Sequence, residues 1–238
     1  MGPFAGSRRL TRAALLRAAV AGGVLAAAAA LAGCASPSTG PLATRSPQEI
    51  LKAAATALKS SNSFHASALG KNGSETLSTD LDVFRNGDSS GQVVLNGSPI
   101  GMVAIGKIVY FKASKATWET LQLSATDAAS IAGKWAAVPS SAGVDVSGLN
   151  YQSIEKQISD PGKVSYSKPR TTTLNGHKVI VVQYGGSTGG TWYIADTGPA
   201  YPVRFVSGGS TSELVNLSGW NSGTQPSAPP DTVVVPGS

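Results

Sequence analysis

One thiol stands alone in this chain. Cys34 is the sole cysteine among 238 residues, so no disulfide can form within the chain. No cluster of Cys and His with zinc-ligand spacing surrounds it either. Its setting fits acylation instead. Leu31-Ala32-Gly33-Cys34 closes a basic, then apolar, N-terminal stretch. A thiol at the end of such an export leader is an acceptor for a diacylglycerol thioether. Cutting between Gly33 and Cys34 frees an amine that takes a further acyl group. The four residues match the pattern of a bacterial lipobox.

Other side chains with chemical potential form weaker constellations. Asp80 and Asp82 share a strand face at period two, an arrangement seen in acid–base and calcium sites and, more often, on a solvated face. His65 and His177 lie in strand-like segments far apart, with no acidic partner pattern beside them. Trp118, Trp135, Trp192 and Trp220 are too scattered for a sugar-stacking platform and read as core or rim residues. No Gly-x-Ser-x-Gly elbow occurs. Gly185-Gly186-Ser187-Thr188-Gly189-Gly190 lacks the lysine and following helix of a phosphate-binding loop and reads as a hairpin tip. Asn216-Leu217-Ser218 matches a glycosylation sequon that a bacterial-type export context makes irrelevant. The chain reads as non-enzymatic, with no cofactor and no metal.

The leader is legible without the motif. Arg8, Arg9, Arg12 and Arg17 precede an uncharged run from Ala18 to Ala32. That run is long enough for a signal-peptide core and shorter than the roughly 20 residues that span a bilayer. Ser7-Arg8-Arg9-Leu10 also has the adjacent arginines of a twin-arginine signal, leaving the export route open between the two systems. Removing residues 1–33 removes four arginines and no acid. The net charge of +6 thus falls to +2, with 15 basic and 13 acidic residues left. A domain so nearly neutral, with no basic stripe, is not a nucleic-acid binder.

The elements that hold these residues alternate in period. Residues 34–45 read as a Pro/Gly-rich linker. A helix is predicted over 46–59, where Ser46, Pro47 and Glu49 make a capping box with proline at the first position. Leu51, Ala54, Ala55 and Leu58 share one of its faces. Short strands follow from Phe64 to Phe111, punctuated by Asn86-Gly87 and Asn96-Gly97. A helix is predicted over 125–138 and a second over 151–158. Strands return from Val164 to Leu217, with a hairpin at Asn175-Gly176. The last residues hold four prolines and read as a loose tail, with Val233–Val235 against the body. The order helix, strands, helices, strands implies a curved antiparallel sheet of nine or ten strands roofed by helices on one side.

Several stretches are similar to the LppX/LprG-type lipoproteins of actinobacteria, which have a LolA-like fold. They are the lipobox, the capped helix, Gly106-Lys107-Ile108-Val109-Tyr110 followed by Trp118, Trp192-Tyr193-Ile194-Ala195-Asp196, Tyr201-Pro202-Val203-Arg204, and Leu214–Asn221. The resemblance implies an α+β fold: a strongly curved antiparallel β half-barrel with helices covering its concave side. It also implies an apolar cavity that takes a lipid or glycolipid. Candidate lining residues are Leu51, Ala55, Leu58, Leu81, Ile131, Trp135 and Val181; the same pattern also makes an ordinary filled core. The expected organisation is a signal peptide (1–33), an anchored linker (34–45), a lipid-binding domain (46–222) and a flexible tail (223–238). The expected setting is the extracytoplasmic face of the cell membrane, as a monomer held by the acyl chains, with a transport partner in the envelope. The competing expectation is a lipid-tethered module that binds a protein or cell-wall polymer and has no cavity.

Overall fold

The computed structural model describes residues 41–72, 74–139, 150–160, 162–208 and 212–235. The leader, Gly33, Cys34, the start of the linker and the Ser/Gly loop near 145 lie outside the described residues. Two runs of sequential hairpins build the sheet. The first contains β1 (Ser63–Asn72), β2 (Glu75–Phe84), β3 (Ser89–Leu95), β4 (Ser98–Ile105), β5 (Ile108–Ala113) and β6 (Trp135–Pro139). The second contains β7 (Arg170–Leu174), β8 (His177–Tyr184), β9 (Gly190–Ala195), β10 (Pro202–Ser207) and β11 (Ser212–Ser218). The runs join where β1 pairs antiparallel with β11, from His65↔Ser218 to Lys71↔Ser212. A short β12 (Val233–Val234) adds itself parallel to β6. The result is one curved, open sheet of twelve strands, with β12 and β7 at its ends.

Turn chemistry sets the hairpin registers. Asn96-Gly97 and Asn175-Gly176 have positive φ at both residues (48° and 83°, 50° and 82°). This is the type I′ geometry whose twist matches that of paired strands. Side chains then alternate between a face covered by helices and an open face.

Helix α1 (Pro47–Ser60) starts as its sequence predicts. The Ser46 side chain accepts from the Glu49 amide, and the Glu49 carboxylate accepts from the Ser46 amide at 2.9 Å. These bonds hold the Glu49 carboxyl below its ordinary pKa. Ile50, Leu51, Ala54, Ala55, Ala57 and Leu58 are buried. All but Ala57 join Phe64, Leu81, Trp192, Ile194 and Phe205 from the sheet in the main core, together with Tyr151, Ile154 and Ile158 of α4 (Tyr151–Ser159). A second, smaller core lies under α2 (Lys115–Thr120) and α3 (Ala125–Ile131), where Trp118, Ala128 and Ile131 meet Ile100, Ala136, Val138 and Val235.

Four details differ from the sequence reading. The helix expected over 125–138 stops at Ile131: Gly133 adopts φ +71° and its amide donates to the Ala113 carbonyl, after which Trp135–Pro139 pairs with β5. Alternation of Ala136 and Val138 suits a strand as well as Ile131 and Trp135 suit a helix, and the β5 edge decides between them. The strand expected from Val164 shrinks to Arg170–Leu174, preceded by a single bridge between Tyr166 and Tyr184; Pro169 has no amide to donate to a ladder. The body begins before Ser46, because Leu42 and Ala43 in a 3-10 turn pack on the main core. The tail, expected to be flexible, is held at Gln225, whose amide donates to Asp88, while Val233–Val234 lies on β6, against the body as the sequence suggests.

Ser46→Ala removes the acceptor that caps α1. We expect it to lower unfolding free energy by about 1 kcal/mol in urea titrations, with an unchanged denaturant slope.

Candidate functional site

Helix α1 packs chiefly against α4. Their mutual position is set at the C-terminal end of α1, where the last carbonyls have no intrahelical donor. The buried Tyr151 hydroxyl shares its one proton between the carbonyls of Leu58 and Ser61, the latter at 2.9 Å. The Arg85 guanidinium donates to the carbonyls of Lys59 and Ser61 and lies 5.8 Å from the Tyr151 ring centroid. Gln152 donates in turn to the Arg85 carbonyl at 2.8 Å. Further along, Lys59 and Glu155 pair across the seam at 3.4 Å.

Beside this seam runs an open groove of about 390 Å³. Leu51, Ala55 and Ile158 form its floor, Tyr166 one wall, and Gln48, Lys52, Thr56 and Lys59 its rim. Its floor is apolar and continuous with the main core; its rim is polar and cationic. Burial, with the negative charge of Asp160 second, pushes the Tyr166 phenol above its ordinary pKa.

The residues expected to line a cavity do not converge on one hollow. Leu51 and Ala55 line the groove. Leu58 and Leu81 are 0 % and 4 % exposed and pack within the main core, and Ile131 belongs to the second one. Trp135 lies on the open face of the sheet, its ring against Gly101 and under Lys112. Val181 is buried but paired with Tyr193 on the face opposite Ile180 and Val182, which belong to the main core. The α1 positions are legible because a capped amphipathic helix has one buried face. Trp135 goes astray because its segment reads as helix and instead forms β6; Val181 goes astray because a strand buried on both sides gives no sign of which face is which. Tyr166 and Ile158, which complete the groove, were not singled out as lining residues; no short pattern marks them.

The open face carries its own cluster. Register places His65 opposite Asp82, Nδ1 to Oδ1 3.0 Å, with Asp80 at 3.4 Å from Nε2. His65 therefore does have acidic partners, brought by the hairpin rather than by sequence proximity. His177 sits on β8, with three strands between it and β1 in the sheet. A second groove, of about 370 Å³, crosses β11, β1, β2 and β3 beside this cluster. Among the described residues no group of three or more His, Cys, Asp or Glu is placed to hold a metal. No helix among them is long and apolar enough to cross a membrane. Trp118 and Trp192 serve as core anchors, and the indole N–H groups of both are buried without an acceptor among the described residues.

No protein-family model matches the chain, and no curated protein matches it in sequence. Solved structures do match. LprF from Mycobacterium bovis aligns with a TM-score of 0.53 and 19% identity, covering 76% of this chain and 96% of that one. The lipoprotein LppX of Mycobacterium tuberculosis aligns with a TM-score of 0.50 and 17% identity, covering 75% and 97%. At such identities the likeness is one of fold. The chain has the fold of the LppX-type lipoproteins, a curved open sheet with helices on one face, as its sequence resemblance implied.

Tyr151→Phe keeps the buried ring and deletes the donor to the α1 carbonyls. We expect a loss of about 1–3 kcal/mol of stability, read from urea unfolding.

Proposed function

We propose that the protein is an exported lipoprotein, anchored by acyl chains on Cys34 to the outer face of the cytoplasmic membrane. There it binds a lipid or glycolipid with its hydrocarbon in the groove between α1 and α4, and passes it to an acceptor in the envelope. The role is binding and transfer rather than covalent catalysis. The groove carries this reading. Its volume, like that of the open-face groove, falls within the roughly 300–1,000 Å³ of small-molecule sites, so the lining is what favours it. Leu51, Ala55 and Ile158 offer a floor free of charge, on which methylenes lose water without stranding a polar group. Lys52, Lys59 and the Tyr166 hydroxyl stand where a headgroup would meet them. The fold shared with LprF and LppX supports the same reading.

An acyl anchor has simple energetics. Each buried methylene contributes about 0.8 kcal/mol, and one chain binds only marginally, so two or more chains are needed for stable attachment. Cys34→Ala should abolish incorporation of labelled palmitate and release the processed protein from the membrane fraction. Retention of the full label after that substitution would remove the anchor from the reading.

Thr56 is exposed on the groove rim. Thr56→Trp therefore fills the groove without disturbing the core. Delipidated protein should take up a fluorescent fatty acid saturably, and Thr56→Trp should weaken that uptake about tenfold, equivalent to about 1.4 kcal/mol. Saturable uptake that the tryptophan leaves unchanged would place the ligand elsewhere.

A further inference from the structure

We infer that the face bearing α1 and α4 docks flat on an anionic lipid bilayer, so that the groove opens toward the membrane that holds the anchor. The inference rests on the Cys34 anchor proposed above and adds an orientation and a surface chemistry to it.

Chain length supplies the first constraint. Six residues, spanned by seven Cα–Cα steps, separate Cys34 from Pro41, where the described chain begins. Fully extended, they reach at most about 25 Å. Leu42 and Ala43 are packed on the main core immediately before α1, so the tether emerges beside the groove rather than at the far side of the sheet. A domain of this size is roughly 40 Å across. The tether is too short to carry round the body and lay the middle of the open face on the same bilayer.

Charge supplies the second. Residues 45–60 and 150–168, which build the groove, contain six basic and three acidic residues. The rest of the chain after Cys34 contains nine basic and ten acidic residues. The groove side is thus cationic, while the remainder carries a slight negative excess. Lys52 and Lys156 are exposed and have no ion-pair partner among the described residues. The open face presents Asp80 and Asp82, the former 69% exposed, together with Lys112 and Arg204, and so has no cationic excess of that size. An anionic surface attracts the first face more strongly than the second.

The acylated protein supplies its own test, because Cys34 is its only cysteine and an introduced thiol is then the only one free. Thr56→Cys on the groove rim and Gln92→Cys on the open face are each labelled with a fluorescent donor. Each protein is reconstituted on vesicles of phosphatidylcholine with or without one third phosphatidylglycerol, containing a headgroup-labelled acceptor lipid. Transfer from position 56 should exceed transfer from position 92 on the anionic vesicles, and the excess should shrink without phosphatidylglycerol. Each lysine at an anionic surface strengthens contact about fivefold, so Lys52→Glu with Lys156→Glu should bring the two positions level. Equal transfer from both sites on anionic vesicles, with the protein still floating with them, overturns the docking. An excess at position 56 that ignores both phosphatidylglycerol and the two lysines overturns its anionic character. Protein that fails to float at all overturns the anchor instead.

Discussion

The last carbonyls of a helix have no continuing turn to supply donors and take them from elsewhere. The end of α1 finds them in Arg85 and Tyr151. Each comes from a different part of the chain: Arg85 from the turn after β2, Tyr151 from the first turn of α4. A cation at this end also complements the helix dipole. Once those bonds form, α1, the β2–β3 hairpin and α4 can no longer move independently. The seam between the two helices, and the groove beside it, inherits its position from this knot. The Lys59–Glu155 pair further along is partly exposed and contributes far less.

The sheet beneath depends on one non-local pairing. Eleven strands fall into two sequential meanders, and only β1 with β11 holds the meanders together. That pairing is reinforced at its end. Asn221, just past β11, accepts from the Asn62 amide and donates its own amide to the Ser63 carbonyl. Trp220 stacks on Tyr201 at 4.3 Å and packs against Phe64. The tail then runs on to place β12 along β6, covering an edge that would otherwise offer unpaired backbone groups to another chain. The C-terminal segment thus acts on the structure twice, at the seam and at the edge.

Local signals were read well because they are complete within a few residues. The capping box at Ser46 and Glu49, the apolar stripe of α1 and the Asn-Gly turns each state their geometry without reference to the rest of the fold. α2 escaped notice because six residues are too few to show a period. β6 was mistaken for helix because its small residues satisfy both periods, and only the partner strand resolves them. The bond between His65 and Asp82 joins residues seventeen apart across a hairpin, beyond any pattern read along one strand. The groove shows the same division. Its α1 floor was legible; Ile158 and Tyr166 reach it through tertiary packing alone.

The groove has a cause in side-chain size. α1 buries three alanines beside Ile50, Leu51 and Leu58, and Ala55 is the residue beneath the groove. A leucine there would extend into the space between the helices and close it. Packing in protein interiors is dense enough that such a space persists only where short side chains leave it and the surrounding elements are fixed. Both conditions meet here: Ala55 leaves the room, and the knot at the end of α1 stops α4 from collapsing into it. A helix of the same polarity pattern with larger apolar residues would make a more stable core and no groove. The small residues are thus a local sacrifice of packing at the one place where a hydrocarbon chain would restore it.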